Sequence, residues 1–152
     1  MKKFKFKLER ILKYRESIKD EKKRVLNLKN QKLFNAEERL KNLQYEAENN
    51  GIKEGVVNVN YLILTGQYGE YLYLEIEKQK EEMEKIKLEV EEARKEYLEA
   101  SKEAKSLEIL KEKQETEYKK NLLKEEEKEN DNTMVQRFKK IGWLLIKGFI
   151  YG

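Results

Sequence analysis

Residues 72–121 read LYLEIEKQK EEMEKIKLEV EEARKEYLEA SKEAKSLEIL KEKQETEYKK N. Alternating steps of four and three from Leu72 reach Ile76, Gln79, Met83, Ile86, Val90, Ala93, Tyr97, Ala100, Ala104, Leu107, Lys111, Gln114, Tyr118 and Asn121. Eleven of these fifteen positions are apolar or Tyr, and the residues between them are mostly Glu and Lys. A repeat averaging 3.5 residues holds one apolar stripe on one side of a supercoiled helix, so the stretch predicts a long helix lying along a partner helix. The alanines at 93, 100 and 104 predict a close approach of that partner, since the distance between helix axes follows the side chains at the contact.

The partner is sought N-terminally. From about Leu8 to Asn50 the chain again reads as helix, with Leu8, Ile11, Ile18 and Val25 at helical spacing and Arg15 and Lys22 filling the other seam positions. Leu33, Ala36, Leu40, Leu43 and Ala47 then form a clean second run. The eleven residues from Val25 to Ala36 break the register of the two runs, which predicts a stutter that unwinds the coil locally. Between the helices, Asn49, Asn50 and Gly51 suit a C-terminal cap in the left-handed conformation, and Asn58 or Asn60 suits the next N-cap. Gly66 and Gly69 weaken the opening turns of the second helix by about 1 kcal/mol each relative to Ala.

These readings predict an all-α fold of two long helices forming an antiparallel coiled-coil hairpin. Helix 1 spans about 5–50, the loop about 51–57 and helix 2 about 58–138, with a short apolar tail at 141–152. A short loop makes consecutive helices antiparallel neighbours. Folding about residue 54 would set Phe4 opposite about residue 104. Helix 2 would then overhang by about 25–35 residues, or ~40–50 Å, leaving Leu107, Leu110, Tyr118 and Leu122 without an internal partner.

Composition agrees. Charged residues make up 42% and the hydrophobic set 38%, too few apolar side chains to fill a closed globular interior. Proline is absent, so no position is barred from a helix by a missing N–H. Residues 1–32 hold 13 Lys/Arg and 4 Asp/Glu, whereas residues 75–130 hold 14 and 19. A basic first helix beside an acidic second one attracts in a hairpin, or the charges merely solvate two faces. The basic start lacks the apolar core of a signal peptide and no apolar stretch is long enough to span a bilayer, so a cytoplasmic location is expected.

Little here supports chemistry. Without His or Cys the chain lacks the usual general base, thiol nucleophile and soft metal ligands, and no glycine starts a phosphate-cradling loop. No enzymatic activity, cofactor or metal is expected. Tyr45, Tyr61, Tyr68, Tyr71 and Tyr73 gather near the expected tip, either as a shield over the hairpin end or as a partner-binding patch. Phe4 and Phe6 among lysines suggest nucleic-acid binding as a competing use, but no zipper follows a true basic region and nucleic acid is not expected as a partner.

The opening Phe4-Lys-Phe6-Lys-Leu8-Glu9-Arg10-Ile11-Leu12-Lys-Tyr-Arg15 resembles the FxFxLexLLxxR start of the flagellar FliJ family. The run from Lys105 to Lys113, Tyr118, and the stretch from Lys124 to Arg137-Phe138 are similar to that family's late helix and ending, with Asn132 where Glu is usual. The resemblance covers residues 1–138, and the tail 141–152 departs from it.

The resemblance implies a hairpin shaped like the rotary shaft of F-type ATP synthases. One end would enter the hexameric flagellar export ATPase through Phe4, Phe6, Leu8, Leu12, Arg15, Leu107, Leu110, Tyr118, Arg137 and Phe138. The other would meet the cytoplasmic domain of the membrane export gate through Tyr61, Tyr68, Tyr71 and Leu72. It further implies handling of export chaperones, a role in protein export and motility, and a cytoplasmic place at the inner face of the cell membrane, held there through partners. A generic coiled-coil scaffold or spacer is the alternative.

Overall fold

The structure is a computed structural model and describes residues 2–51, 53–55 and 58–151, with side chains up to Phe149. It contains two helices, α1 (Glu9–Asn49, 41 residues) and α2 (Val59–Tyr151, 93 residues), and no strand among the described residues. They pack against each other as a hairpin, and the second is the longer. The chain divides into two compact units, Ile11–Ala104 and the pair Met1–Arg10 with Lys105–Gly152.

The first unit is an antiparallel helix pair. Arg15 pairs with Glu103, Lys22 with Glu96 at 2.7 Å and Lys29 with Glu89 at 2.9 Å. Each seven-residue step along α1 is met by a seven-residue step backwards along α2, as a two-stranded coil with a heptad repeat requires. Leu72, Gln79, Ile86, Ala93 and Ala100 are all buried and all seven residues apart, with Ala104 at 0% exposure on the alternate row. The small side chains at 93, 100 and 104 are all buried in the seam.

The predicted stutter in α1 is absent. Leu12, Leu26, Leu33, Leu40 and Ala47, with Lys19, form one row, and Arg15, Lys22, Lys29, Ala36, Leu43 and Asn50 the other, each at seven-residue intervals and each at least half-buried. Leu12 is 4% exposed where Ile11 was expected in the seam, and Ile11 is 46% exposed. Ile18 and Val25 remain half-buried beside Lys19 and Leu26, which broadens the seam without shifting it. Arg15 and Lys22 occupy the seam as expected, and Lys29 joins them. The methylene stems of Lys22 and Lys29 cover the seam while their charged ends reach flanking glutamates. These exposed pairs are individually weak, so their main contribution is to register.

The turn differs in detail. α1 ends at Asn49 as expected, but Gly55 is the only described residue with a left-handed backbone, at φ 94°. The Asn50 side-chain amide instead donates to the Thr65 carbonyl at 3.1 Å, tying the end of α1 to α2. A Cβ at Gly69 would lie 3.3 Å from that amide, so this glycine gives the amide room. Asn58 caps α2, accepting the Asn60 N–H at 3.1 Å. The rest of the expected loop, at 52, 56 and 57, lies outside the described residues.

In the second unit the chain before Glu9 is not helical, although helix was expected from about residue 5. Lys2 to Phe6 form no regular element, Phe6 is buried, and the Phe6 carbonyl accepts the Glu9 N–H at 3.2 Å. Glu9 opens α1, where a carboxylate suits the helix N-terminus, and also pairs with Lys111 at 3.0 Å. α2 does not stop near 138 but continues as one helix to Tyr151, since no proline or capping motif interrupts it.

Candidate interaction surfaces

Phe4 packs on Tyr118, with ring centroids 5.7 Å apart at 42°, and the Tyr118 hydroxyl donates to the Lys2 carbonyl. Phe4 therefore lies opposite residue 118, not 104, and the expectation that Tyr118 lacks a partner is corrected. Leu107 and Leu122 are half-buried as well, while Leu110 and Ile109 are exposed. The pairs Arg15 with Glu103 and Lys22 with Glu96 are symmetric about residue 59, not 54. Lys2, Tyr118, Asn121, Leu122, Glu125, Glu126 and Glu129 line an open depression of about 550 Å³ beside this contact.

Beyond Leu122 the side chains lose their cover. Every residue from 123 to 149 is exposed except Gly142, and Phe138 is 73% exposed. Of the residues expected to contact the ATPase, Leu110, Arg137 and Phe138 are thus accessible. Phe4, Leu8, Leu107 and Tyr118 are half-covered, and Phe6 is buried. Leu12 and Arg15 are engaged within the helix pair, one in its core and the other on Glu103.

Near the start of α2, Tyr68 and Tyr71 stack with centroids 6.1 Å apart at 21°, and the Tyr68 hydroxyl donates to Glu46 at 3.0 Å. That bond to a carboxylate raises the Tyr68 pKa above its ordinary value. The Tyr61 hydroxyl donates to the Gly51 carbonyl at 3.4 Å. Tyr45, Tyr71 and Tyr73 are exposed. Leu72, expected among the gate contacts, is fully buried and belongs to the core.

Sequence reasoning missed Leu62, Ile63, Leu64 and Leu74, which are all exposed. The signal was the apolar run from Tyr61 to Leu64, longer than a seam needs. Gly69, Glu70, Tyr73 and Leu74 line a shallow depression of about 370 Å³.

Part of the basic charge of α1 is matched by carboxylates. Besides the three pairs above, Lys32 lies 3.3 Å from Glu89 and Arg39 lies 3.9 Å from Glu75. Hydrogen bonds from Lys29 and then Lys32 hold the Glu89 carboxyl below the usual carboxylate range, and the bond to Glu96 raises Lys22. Among the described residues no three acidic groups converge to hold a metal, and no helix is long and apolar enough to cross a membrane.

No similar curated protein and no similar solved structure was found for the chain. A family profile described as Flagellar FliJ protein matches residues 4–141, ending where the apolar tail begins. With nine-tenths of its length matched, the chain belongs to the flagellar FliJ protein family.

Proposed function

We propose that the protein is a non-enzymatic component of the flagellar export apparatus that acts as a stalk for the hexameric export ATPase. Family membership supports the flagellar export role. The observation that carries the stalk reading is the stretch of α2 from Leu123 to Phe138, whose side chains are all exposed. A ring of subunits offers a central bore that such a helix enters, and Ile109, Leu110, Arg137 and Phe138 are its exposed contacts. Phe4, Phe6, Leu8, Leu107 and Tyr118 brace it from within.

By binding the assembled ring and not loose subunits, the stalk raises ATPase activity through mass action. Tyr68, Tyr71 and the newly found Leu62 to Leu64 form the surface offered to the export gate, and chaperones dock along the same apparatus. Phe6 is buried and Phe4 packs on Tyr118, so the rings of the basic start are engaged within the chain, which disfavours their stacking on bases.

The test is ATP hydrolysis by the cognate ATPase over a range of enzyme concentrations. Ile109→Asp with Leu110→Asp alters exposed side chains and leaves the fold intact. It is expected to abolish stimulation at low enzyme concentration. Full stimulation by this variant, with normal helicity, defeats the stalk reading in favour of a spacer.

A further inference from the structure

The last part of α2 differs in chemistry from everything before it. Residues 124–133 contain no apolar side chain, and the last acidic residue of the chain is Asp131. From there on Arg137, Lys139, Lys140 and Lys147 are the only charged residues. At about 100° per residue, Ile141, Leu145, Ile146 and Phe149 fall within an arc of roughly 140°, continued towards the N-terminus by Met134 and Phe138. Lys140 and Lys147 stand opposite that arc, with Gln136. Trp143 and Leu144 fall outside it, and Trp143 carries the Lys147 ammonium 4.4 Å from its ring centre. All these apolar side chains are exposed, Phe149 at 94%.

From this we propose that residues 139–149 form an interfacial helix that lies on an anionic lipid surface, C-terminal to the Arg137 and Phe138 contacts of the ATPase reading. The apolar arc would enter the acyl boundary, Lys140 and Lys147 would face lipid phosphates with Lys139 at the edge of the arc, and Trp143 beside Lys147 would sit at headgroup depth, where amphipathic rings concentrate. The helix lies on the bilayer and does not span it, since it is too short in apolar length.

Charge complementarity selects this occupant over a second copy. Two such segments side by side bring cations together with no carboxylate to answer them. Sliding the segment onto the acidic stretch 125–131 of another copy satisfies the charges but sets Ile141, Leu145 and Phe149 against a helix face with nothing apolar. A lipid surface supplies anions and hydrocarbon in one plane.

Trp143 is the only tryptophan, so its fluorescence reports on this segment alone. The full chain should show a blue shift with vesicles containing phosphatidylglycerol and co-float with them. Pure phosphatidylcholine vesicles or high salt should weaken binding strongly. Lys139→Glu with Lys140→Glu is expected to weaken it about tenfold or more, and Leu145→Ser with Phe149→Ser to abolish flotation while ATPase stimulation persists. Because these side chains pack on nothing, unchanged helicity of the rest verifies the variants.

Absence of a shift with anionic vesicles overturns the proposal. So does a shift produced by concentrating the protein without lipid, which would assign the face to a second copy, and so does equal binding to both vesicle types.

Discussion

The side-chain amide of Gln79 donates a 3.1 Å hydrogen bond across the hairpin to the backbone carbonyl of Ala36, and both residues are buried. The carbonyl lies inside α1, where a second lone pair remains after the helical bond. A buried amide in an apolar seam restricts register at a cost in stability.

Gln79→Leu is therefore expected to raise stability, by about 1 kcal/mol, because it orphans no buried group and fills the seam with hydrocarbon. Gln79→Ala should lower it by removing both the bond and the volume. Urea denaturation followed by circular dichroism measures both. A destabilised Leu variant would show that the amide contributes more than register.

The two glycines in the early turns of α2 should respond differently to alanine. Nothing lies within 4 Å of a Cβ at Gly66, so Gly66→Ala is expected to stabilise the protein by about 0.5–1 kcal/mol. Gly69→Ala should gain distinctly less, because its methyl meets the Asn50 amide at 3.3 Å and displaces it from the Thr65 carbonyl. Thermal melts of the two variants, compared directly, decide the point.

At Ala104, fully buried in the seam, Leu is expected to overpack and cost about 1–3 kcal/mol. Leu98→Ala, on an exposed position of the same helix, should change stability by less than about 0.5 kcal/mol. Equal effects at both sites would contradict the seam assignment.

Glu89 titrates below its ordinary value because Lys29 and Lys32 bond its ionised form. A lowered folded pKa adds stability above the unfolded pKa, and that stability disappears as pH falls through the folded one. Glu89→Gln should therefore lower the melting temperature slightly at neutral pH and leave it unchanged in strong acid. Lys22 has the opposite sign, since its folded pKa is raised by Glu96 and its contribution is lost only as pH climbs past that raised value. Both effects should shrink with added salt, since the pairs are exposed.

Phe4→Ala and Tyr118→Ala should each release the segment before α1 from α2. A double-mutant cycle between them is expected to show coupling of about 0.5–1.5 kcal/mol. Hydrogen exchange at Leu8 and Glu9 gives the local readout, and zero coupling would remove this contact as an anchor.

Helix type, the seam of α2 and the antiparallel hairpin were legible in the sequence, because periodicity and the lack of proline act locally along the chain. So were the end of α1 at Asn49 and the cap at Asn58, and the paired end motifs carried the family. The missed features are non-local. Whether Ile11 or Leu12 faces α2 depends on what the opposite helix presents, and Lys29 serves as a seam residue with Glu89 across from it. The placement of Phe4 against Tyr118 depends on where the chain turns, and a shift of a few residues there displaces every pairing along α2. A heptad pattern repeats every seven residues and satisfies itself equally well one heptad away. Periodicity thus specified the helices and their apolar faces, whereas the turn, the cross-helix ion pairs and the aromatic contact selected one register among near-equivalents.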